Sequence, residues 1–400
     1  MFGTFLFLFF VLLLIASFVQ GGFALTLLYL LAGALAAALW WSFRALGQVE
    51  AKRRFSTHAF LGEKIKIDLR VKNTGWLPLL WLELRDTLPV ALAGPHSFKL
   101  VTHLGIHANS TFEYFVEARK RGYYEIGPLS ISTGDIFGVS EVLQVERQAE
   151  HLIVYPKIIP FTSIQIPSYS PQGTLKHYLP LFEDPTRVFG KRGYTSGDSL
   201  RRIDWKSSAA AGQLQVKMFE PSIALETFVI LNLNAGDYHY RNQIDATELA
   251  IVIAASISNW IVDKKQLVGM MVNGRDPLMT DGKLQSIPPG KGKPHLMRLL
   301  ETLARVGTIE DSTLVSLLQR QRYRLAWGTT LIVITGRASA DLLNELYQAR
   351  RSGQNTILIL AGRDISNADT LKQAEFFRIP VVSIATEHDL NIWTKSVSHQ

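Results

Sequence analysis

Cysteine is absent from all 400 residues. That excludes disulfides, thiolate nucleophiles and zinc–thiolate centres, and it fits a reducing compartment. Charge is equally absent from the first 43 residues, which hold no Asp, Glu, Lys, Arg or His. The common catalytic signatures are missing too: there is no nucleophile elbow, no His-Glu-x-x-His and no dinucleotide fingerprint. Gly290-Lys291-Gly292-Lys293-Pro294 lacks the spacing of a phosphate loop, and Pro294 stands where a hydroxyl would meet Mg²⁺, so it reads as a basic turn. Glu183-Asp184 sits in a proline-rich stretch, where adjacent carboxylates are usually solvated.

The uncharged start consists of two apolar runs, Phe2 to Val19 and Gly22 to Phe43, separated by Gln20-Gly21-Gly22. Roughly 20 apolar residues cross a ~30 Å hydrocarbon layer as a helix. Residues 1–44 therefore predict a transmembrane helical hairpin. Trp40 and Trp41 suit the headgroup layer, and Arg44, Lys52, Arg53 and Arg54 follow against the single acid Glu50. This membrane-proximal basic excess predicts a cytoplasmic exit beside anionic lipid. A cleaved signal peptide is the rival reading of the first run, but no basic segment precedes it.

The remaining residues carry the whole formal charge of +8. Aromatic and basic residues do not interleave as in single-strand binders, so nucleic acid is not expected as a partner; DNA binding would rest on the net charge alone. From 55 to 156 the period is two: Ile65, Ile67, Leu69 and Val71 alternate with charged residues, and Phe112, Tyr114 and Val116 repeat the pattern. A β-sandwich of immunoglobulin-like type is the expected solution. His103 and His107 lie in this part, where residues four apart on a strand are ~13 Å apart, so they are not expected to share a metal. Residues 157–224 are proline-rich and weakly periodic, which suggests a connector. Residues 225–400 alternate β-branched runs with helical stretches, predicting an α/β doubly wound domain with a parallel sheet.

The connector contains Arg192-Gly193-Tyr194-Thr195-Ser196-Gly197-Asp198-Ser199-Leu200-Arg201-Arg202-Ile203-Asp204-Trp205-Lys206. Upstream lie Arg121-Gly122-Tyr123-Tyr124-Glu125-Ile126-Gly127-Pro128, Gly134-Asp135-Ile136-Phe137-Gly138 and Val154-Tyr155-Pro156. Together these resemble the family called Domain of Unknown Function 58. The resemblance implies a bacterial inner-membrane, multi-pass protein with a von Willebrand factor A-like domain, often associated with MoxR-type AAA+ ATPases. It suggests a role in assembling or remodelling complexes; with the catalytic and metal constellations missing, the expectation is an interaction or scaffold protein, not an enzyme, with no cofactor. The family's usual arginine after the tryptophan is replaced here by Ala210.

Read on its own chemistry, the signature places Asp198 or Ser199 as the N-cap of a short helix running to about Ala211, with Asp198 and Arg202 four apart. Two roles stay open for Arg192, Tyr194, Gly197, Asp198, Arg201, Arg202, Asp204, Trp205 and Lys206: a buried polar lock, or a docking and anion-binding surface. A hydrolase or transferase acting on a cell-envelope precursor through Asp198 and Asp204 is the alternative from another class. In the von Willebrand factor A comparison, Asn232, Asn234 and Gly236 occupy the Asp-x-Ser-x-Ser positions. Gly336 and Arg337 follow Thr335 where another acid would be expected. That pattern predicts a degenerate metal-site edge at Asn232, Asn234, Gly236 and Thr335 that holds no metal.

Overall fold

The computed structural model describes residues 22–92, 97–134, 141–146, 150–160, 183–194, 203–221, 226–279, 285–310, 314–322, 328–362 and 368–390, with Val11 and Leu325. The first apolar run, Phe2 to Val19, lies outside the described residues but for Val11. The chain divides into two compact units, Met1–Lys157 with Leu303–Arg305, and Ile158–Thr302 with Val306–Gln400.

The first unit opens with helix α1 (Gly22–Leu46), which is long and apolar enough to cross a membrane. Phe23, Tyr29 and Leu30 are exposed along its amino half, whereas Ala45 and Leu46 at its carboxyl end are buried in the sheet core. Ten strands follow: β1 (Val49–Arg54), β2 (His58–Phe60), β3 (Lys64–Asn73), β4 (Leu79–Thr87), β5 (Ser97–Leu104), β6 (Asn109–Glu117), β7 (Gly122–Ile126), β8 (Leu129–Gly134), β9 (Glu141–Glu146) and β10 (Glu150–Tyr155). They form sheets in the orders β1-β3-β6, β2-β10-β7 and β5-β4-β8-β9. The period-two pattern is the cause: Ile65, Ile67, Leu69 and Val71 all point inward from β3.

The first strand corrects the reading of the basic stretch. The sheet begins at Val49, so Lys52, Arg53 and Arg54 belong to β1 instead of preceding the domain. Alternation that buries Val49 and Ala51 must also bury Arg53. Its guanidinium lies 3.3 Å from Asp86 and donates to the Ile126 carbonyl at 2.7 Å, while Tyr114 donates to the same carboxylate at 2.6 Å. Arg53 is thus a core residue, and Arg44, Lys52 and Arg54 keep their charges exposed.

The second unit begins its regular structure with β11 (Glu183–Gly193), α2 (Trp205–Ala211) and β12 (Gln215–Pro221). The stretch expected to be irregular therefore contains an antiparallel β11–β12 pair with a helix between its strands. The α/β part follows as β13 (Glu226–Asn232), α3 (Gln243–Asp263), β14 (Leu267–Asn273), β15 (Gln285–Gly290), α4 (Lys293–Arg305), α5 (Leu314–Arg322), β16 (Thr330–Thr335), α6 (Ala340–Arg351), β17 (Asn355–Ala361), α7 (Ala368–Phe376) and β18 (Val381–Ile384). The sheet order is β15-β14-β13-β16-β17-β18, parallel throughout except for β15.

Phe228, Ile230, Leu331, Val333, Leu358 and Leu360 face α5, α6 and α7 in one core. Their alternates, including Val229, Leu231, Ile332 and Ile359, are also buried, so the central strands are covered on both faces. Helix α3 passes the same length and composition test as α1 but is mostly buried, packing on β13, β14, β16 and β17. It is the core helix of this sheet. Strand β15 contains Pro288 and Pro289, which only a sheet edge tolerates. Pro294 stands in the first turn of α4, where its missing N–H costs nothing.

Candidate functional site

Two clusters gather the residues singled out above. The first is the signature. Gly197, Asp198, Arg201 and Arg202 lie outside the described residues. Ile203 forms a β-bridge with Val216, so the short helix cannot run through it, and its N-cap is Asp204 instead of Asp198 or Ser199. The Asp204 carboxylate accepts the Ser207 N–H at 3.2 Å and meets Lys191 Nζ at 2.8 Å. Lys191 also donates to the Ser207 hydroxyl. These partners, Lys191 first and the Ser207 N–H second, hold the Asp204 carboxyl down at about 2.

Further bonds close the unit. Asp204 N–H donates to Gln215 O at 2.9 Å, Ser208 Oγ donates to Asp204 O at 2.8 Å, and Gln215 N–H donates to Ser208 Oγ at 2.8 Å. Tyr194 N–H donates to Leu214 O at 2.9 Å, and Gly212 ends α2 with φ of 67°. The backbone and Asp204 therefore form a fold-holding lock. Trp205 does the opposite: it is 69% exposed, next to exposed Lys206, and Arg192 of β11 is exposed as well. Sequence reasoning missed Lys191, Ser207 and Ser208, although Asp204 directly before Trp205 is itself an N-cap residue type that could have placed the helix start.

The second cluster is the carboxyl edge of the parallel sheet. Asn232 ends β13, Asn273 ends β14 and Thr335 ends β16; all three are buried. Asn232 Oδ1 accepts the backbone N–H of Asn234 at 3.1 Å and Asn273 Nδ2 at 2.9 Å. A backbone N–H can only donate, which fixes the orientation of the Asn232 amide. Its Nδ2 then donates to Asp237 Oδ2 at 2.7 Å and to Thr335 Oγ1 at 3.0 Å. Asn234 Nδ2 donates to the same Asp237 oxygen at 3.0 Å. The edge thus contains a carboxylate that sequence reasoning did not assign, Asp237, and two amide N–H donors are turned toward it.

Tyr238, buried under this network, donates to the Asn232 carbonyl; burial first and Asp237 second push its phenol far up. A Cβ on Gly336 would come within 2.4 Å of the Tyr238 ring and 2.6 Å of Asp237 O. Gly336 therefore seals the network from the β16 side, while Gly236 sits in the 3₁₀ turn Ala235–Asp237. Chemically, two amide N–H groups donate to one Asp237 oxygen. Past this edge large apolar side chains stand among charged ones: Tyr240 and Ile244 are 90% and 76% exposed, next to exposed Arg241 and Asp245, and Leu278 and Met279 after β14 are also exposed.

Both clusters fall within one family match. Residues 190–360 match the family Protein of unknown function DUF58. The DUF58 segment opens inside β11, takes in Asp204 and α2, and closes inside β17. It is the family whose signature was read from Arg192 to Lys206. Similarity extends beyond that segment: the uncharacterized protein YeaD of Bacillus subtilis is 24% identical over 356 residues, covering 86% of this chain and 83% of that protein. Among solved structures, proximal thread matrix protein 1 of the mussel byssus gives a TM-score of 0.33 at 12% identity over 44% of this chain and 47% of its own. The CARDB domain of PF1109 from Pyrococcus furiosus gives 0.21 at 13% identity over 26% and 91%. At these TM-scores neither likeness bears on the fold or function of this chain.

Proposed function

We propose that this chain is a membrane-anchored interaction protein whose α/β unit binds a protein partner through the carboxyl edge of its sheet, without a metal. In this reading the α/β unit is a von Willebrand factor A-like domain with a degenerate metal site, and the β-rich unit is an immunoglobulin-like sandwich. The anchor is a hairpin in the bacterial inner membrane, with both soluble units in the cytoplasm. The partner class is a MoxR-type AAA+ ATPase, taken from the family resemblance. The observation that carries the reading is the Asn232–Asp237–Thr335 network beside exposed Tyr240 and Ile244. An edge where two amides hold one Asp237 oxygen and a third hydrogen bond occupies the Thr335 hydroxyl offers Mg²⁺ a poor ligand set, and large exposed apolar groups next to it suit a partner's anchor residues.

The competing reading, a hydrolase or transferase on an envelope precursor, needs Asp204 as a working carboxylate. Asp204 would first have to leave both Lys191 and the Ser207 N–H.

Capture from detergent-solubilised membranes, with and without ATP, tests the proposal. The expected result is co-purification of an AAA+ ATPase with the wild-type chain and its loss with Tyr240→Ser/Ile244→Ser. Absence of any stable partner at near-native expression, or capture that ignores the double variant, overturns it.

A further inference from the structure

The carboxyl half of α1 does not stand free of the sheets. It packs on β4, β8 and β9. Trp41 Nε1 donates to the Pro78 carbonyl at 3.1 Å. A hollow of about 240 Å³ is lined by Ala34 and Ala38 of α1 on one side and Leu80 and Gly134 on the other, with no charged side chain among the described residues of its wall. The sheets therefore accompany the helix from Ala34 to its end at Leu46.

Helix length then sets the depth. The 25 residues of α1 give about 38 Å at 1.5 Å per residue. Gln20-Gly21-Gly22 interrupts the apolar sequence, and 12 residues, Gly22–Gly33, lie between that break and the packed part, about 18 Å of helix against a hydrocarbon layer of ~30 Å. The shortfall, about 12 Å, has to come from the stretch that carries the sheets. Placing Trp40 and Trp41 at the headgroup boundary completes a 20-residue span from Gly22. That same placement puts Ala34, Ala38 and their neighbours Leu80 and Gly134 below the boundary.

The side chains at this end of the unit match such a setting. Leu80 is 55% exposed, although it lies on a strand with a buried core face. Trp76, beyond the helix end, is exposed, and so is Ile106 on the loop beside it, where His107 N–H donates to Gly75 O at 3.3 Å. Tryptophan in particular favours the headgroup layer.

We propose that the β4–β8 end of the β-rich unit is a lipid-facing surface set into one leaflet beside α1, with Leu80 against acyl chains and Trp76 and Ile106 at headgroup level. The inference rests on α1 lying in a bilayer, and it goes further: a strand end of the folded unit shares the leaflet with the helix. Acyl chains are the occupant that fits an uncharged hollow continuous with an apolar helix.

The absence of cysteine makes site-directed labelling clean. The full chain would be reconstituted in phosphatidylcholine/phosphatidylglycerol vesicles and labelled with bimane at Leu80→Cys or Trp76→Cys. Leu30→Cys serves as the helix reference. Lys64→Cys serves as the remote reference, since nine residues of β3 separate it from Asn73, about 30 Å along the strand. Each sample would be probed with tail-brominated lipid and with aqueous iodide. The expected result is strong bromolipid quenching at positions 30 and 80, weaker quenching at 76, and iodide quenching alone at 64. Position 80 behaving like position 64 while position 30 still sees lipid overturns the inference and leaves the anchor intact. Shielding of position 80 from both quenchers also overturns it, since protein then fills the hollow. Failure at position 30 as well removes the anchor itself.

Discussion

Lys191 Nζ sits 2.8 Å from the Asp204 carboxylate, which at the same time caps helix α2 through the Ser207 N–H. One acid thus ties β11 to the start of α2, and its two partners depress its pKa to about 2. The linkage follows directly. A carboxyl held lower in the folded state than in the unfolded chain adds stability that is fully present above the ordinary carboxylate range and is lost as pH falls through about 2. Asp204→Asn is expected to lower the melting temperature at neutral pH and to flatten the acid limb between the ordinary carboxylate range and about 2. Thermal melts of purified full-length chain in detergent check this, and an unchanged acid limb would show that the pair adds nothing.

A second ion pair makes the opposite kind of prediction. Asp86 is buried with Arg53 and Tyr114, and burial outweighs both partners, so its carboxyl is raised above the usual range. Removing one member strands the other. Arg53→Met is expected to cost about 3–5 kcal/mol, and the double variant Arg53→Met/Asp86→Leu to recover most of it. The sign with pH is fixed too: a raised carboxyl is favourable below its unfolded pKa and loses that advantage as pH rises through the folded value. Arg53→Met is therefore least destabilised in acid. Denaturant midpoints for the four corners of the cycle, at acid and neutral pH, measure both statements.

The amide network at the sheet edge can be challenged by restoring the acid it lacks. Asn232→Asp would place a second carboxylate against Asp237, where the amide now sits at 2.7 Å. Two such groups cannot both ionise without a cation between them, so one pKa rises. Stability of the variant is expected to fall as pH climbs through that raised value. Millimolar Mg²⁺ is expected to raise the melting temperature of the variant and leave the wild type unmoved. Equal responses of the two proteins to Mg²⁺ would show that the amide does not decide metal affinity.

Much of the fold was legible because its signals were periodic. Strands β13, β14, β16, β17 and β18 are short apolar, β-branched runs, and helices α3, α4, α6 and α7 alternate with them, as the pattern of residues 225–400 predicts. What escaped was set by tertiary partners. Strand β15 carries two prolines that read as a breaker and are accommodated because β14 pairs with one side of an edge. Helix α2 starts six residues later than the first available cap, because Ile203 is held in a bridge to Val216. Arg53 looked like a membrane-facing cation because its acid, Asp86, lies 33 residues away in sequence and adjacent only after folding. At the candidate site, Asn232, Asn234 and Thr335 were named from the von Willebrand factor A comparison, whereas Asp237 and Asn273 joined them only through the closing of loops.

Asp204 and Trp205 are neighbours with opposite surroundings, and that contrast lets folding be tested apart from the proposed docking. The aspartate is engaged by Lys191, Ser207 and the β12 backbone. The tryptophan, at the first position of α2, keeps 69% of its surface in solvent. A helix of seven residues loses little when an exposed side chain on it is truncated. Large exposed aromatics, by contrast, tend to dominate the energetics of the interfaces that cover them. Trp205→Ala is accordingly expected to leave the melting temperature within about one degree of wild type. Partner capture from solubilised membranes should drop about tenfold or more. Asp204→Asn should show the reverse balance, with a lower melting temperature and capture that recovers when the comparison is made well below the melting transition. If Trp205→Ala unfolds the unit as readily as Asp204→Asn does, the tryptophan belongs to the lock and the docking role passes to the Tyr240–Ile244 surface alone.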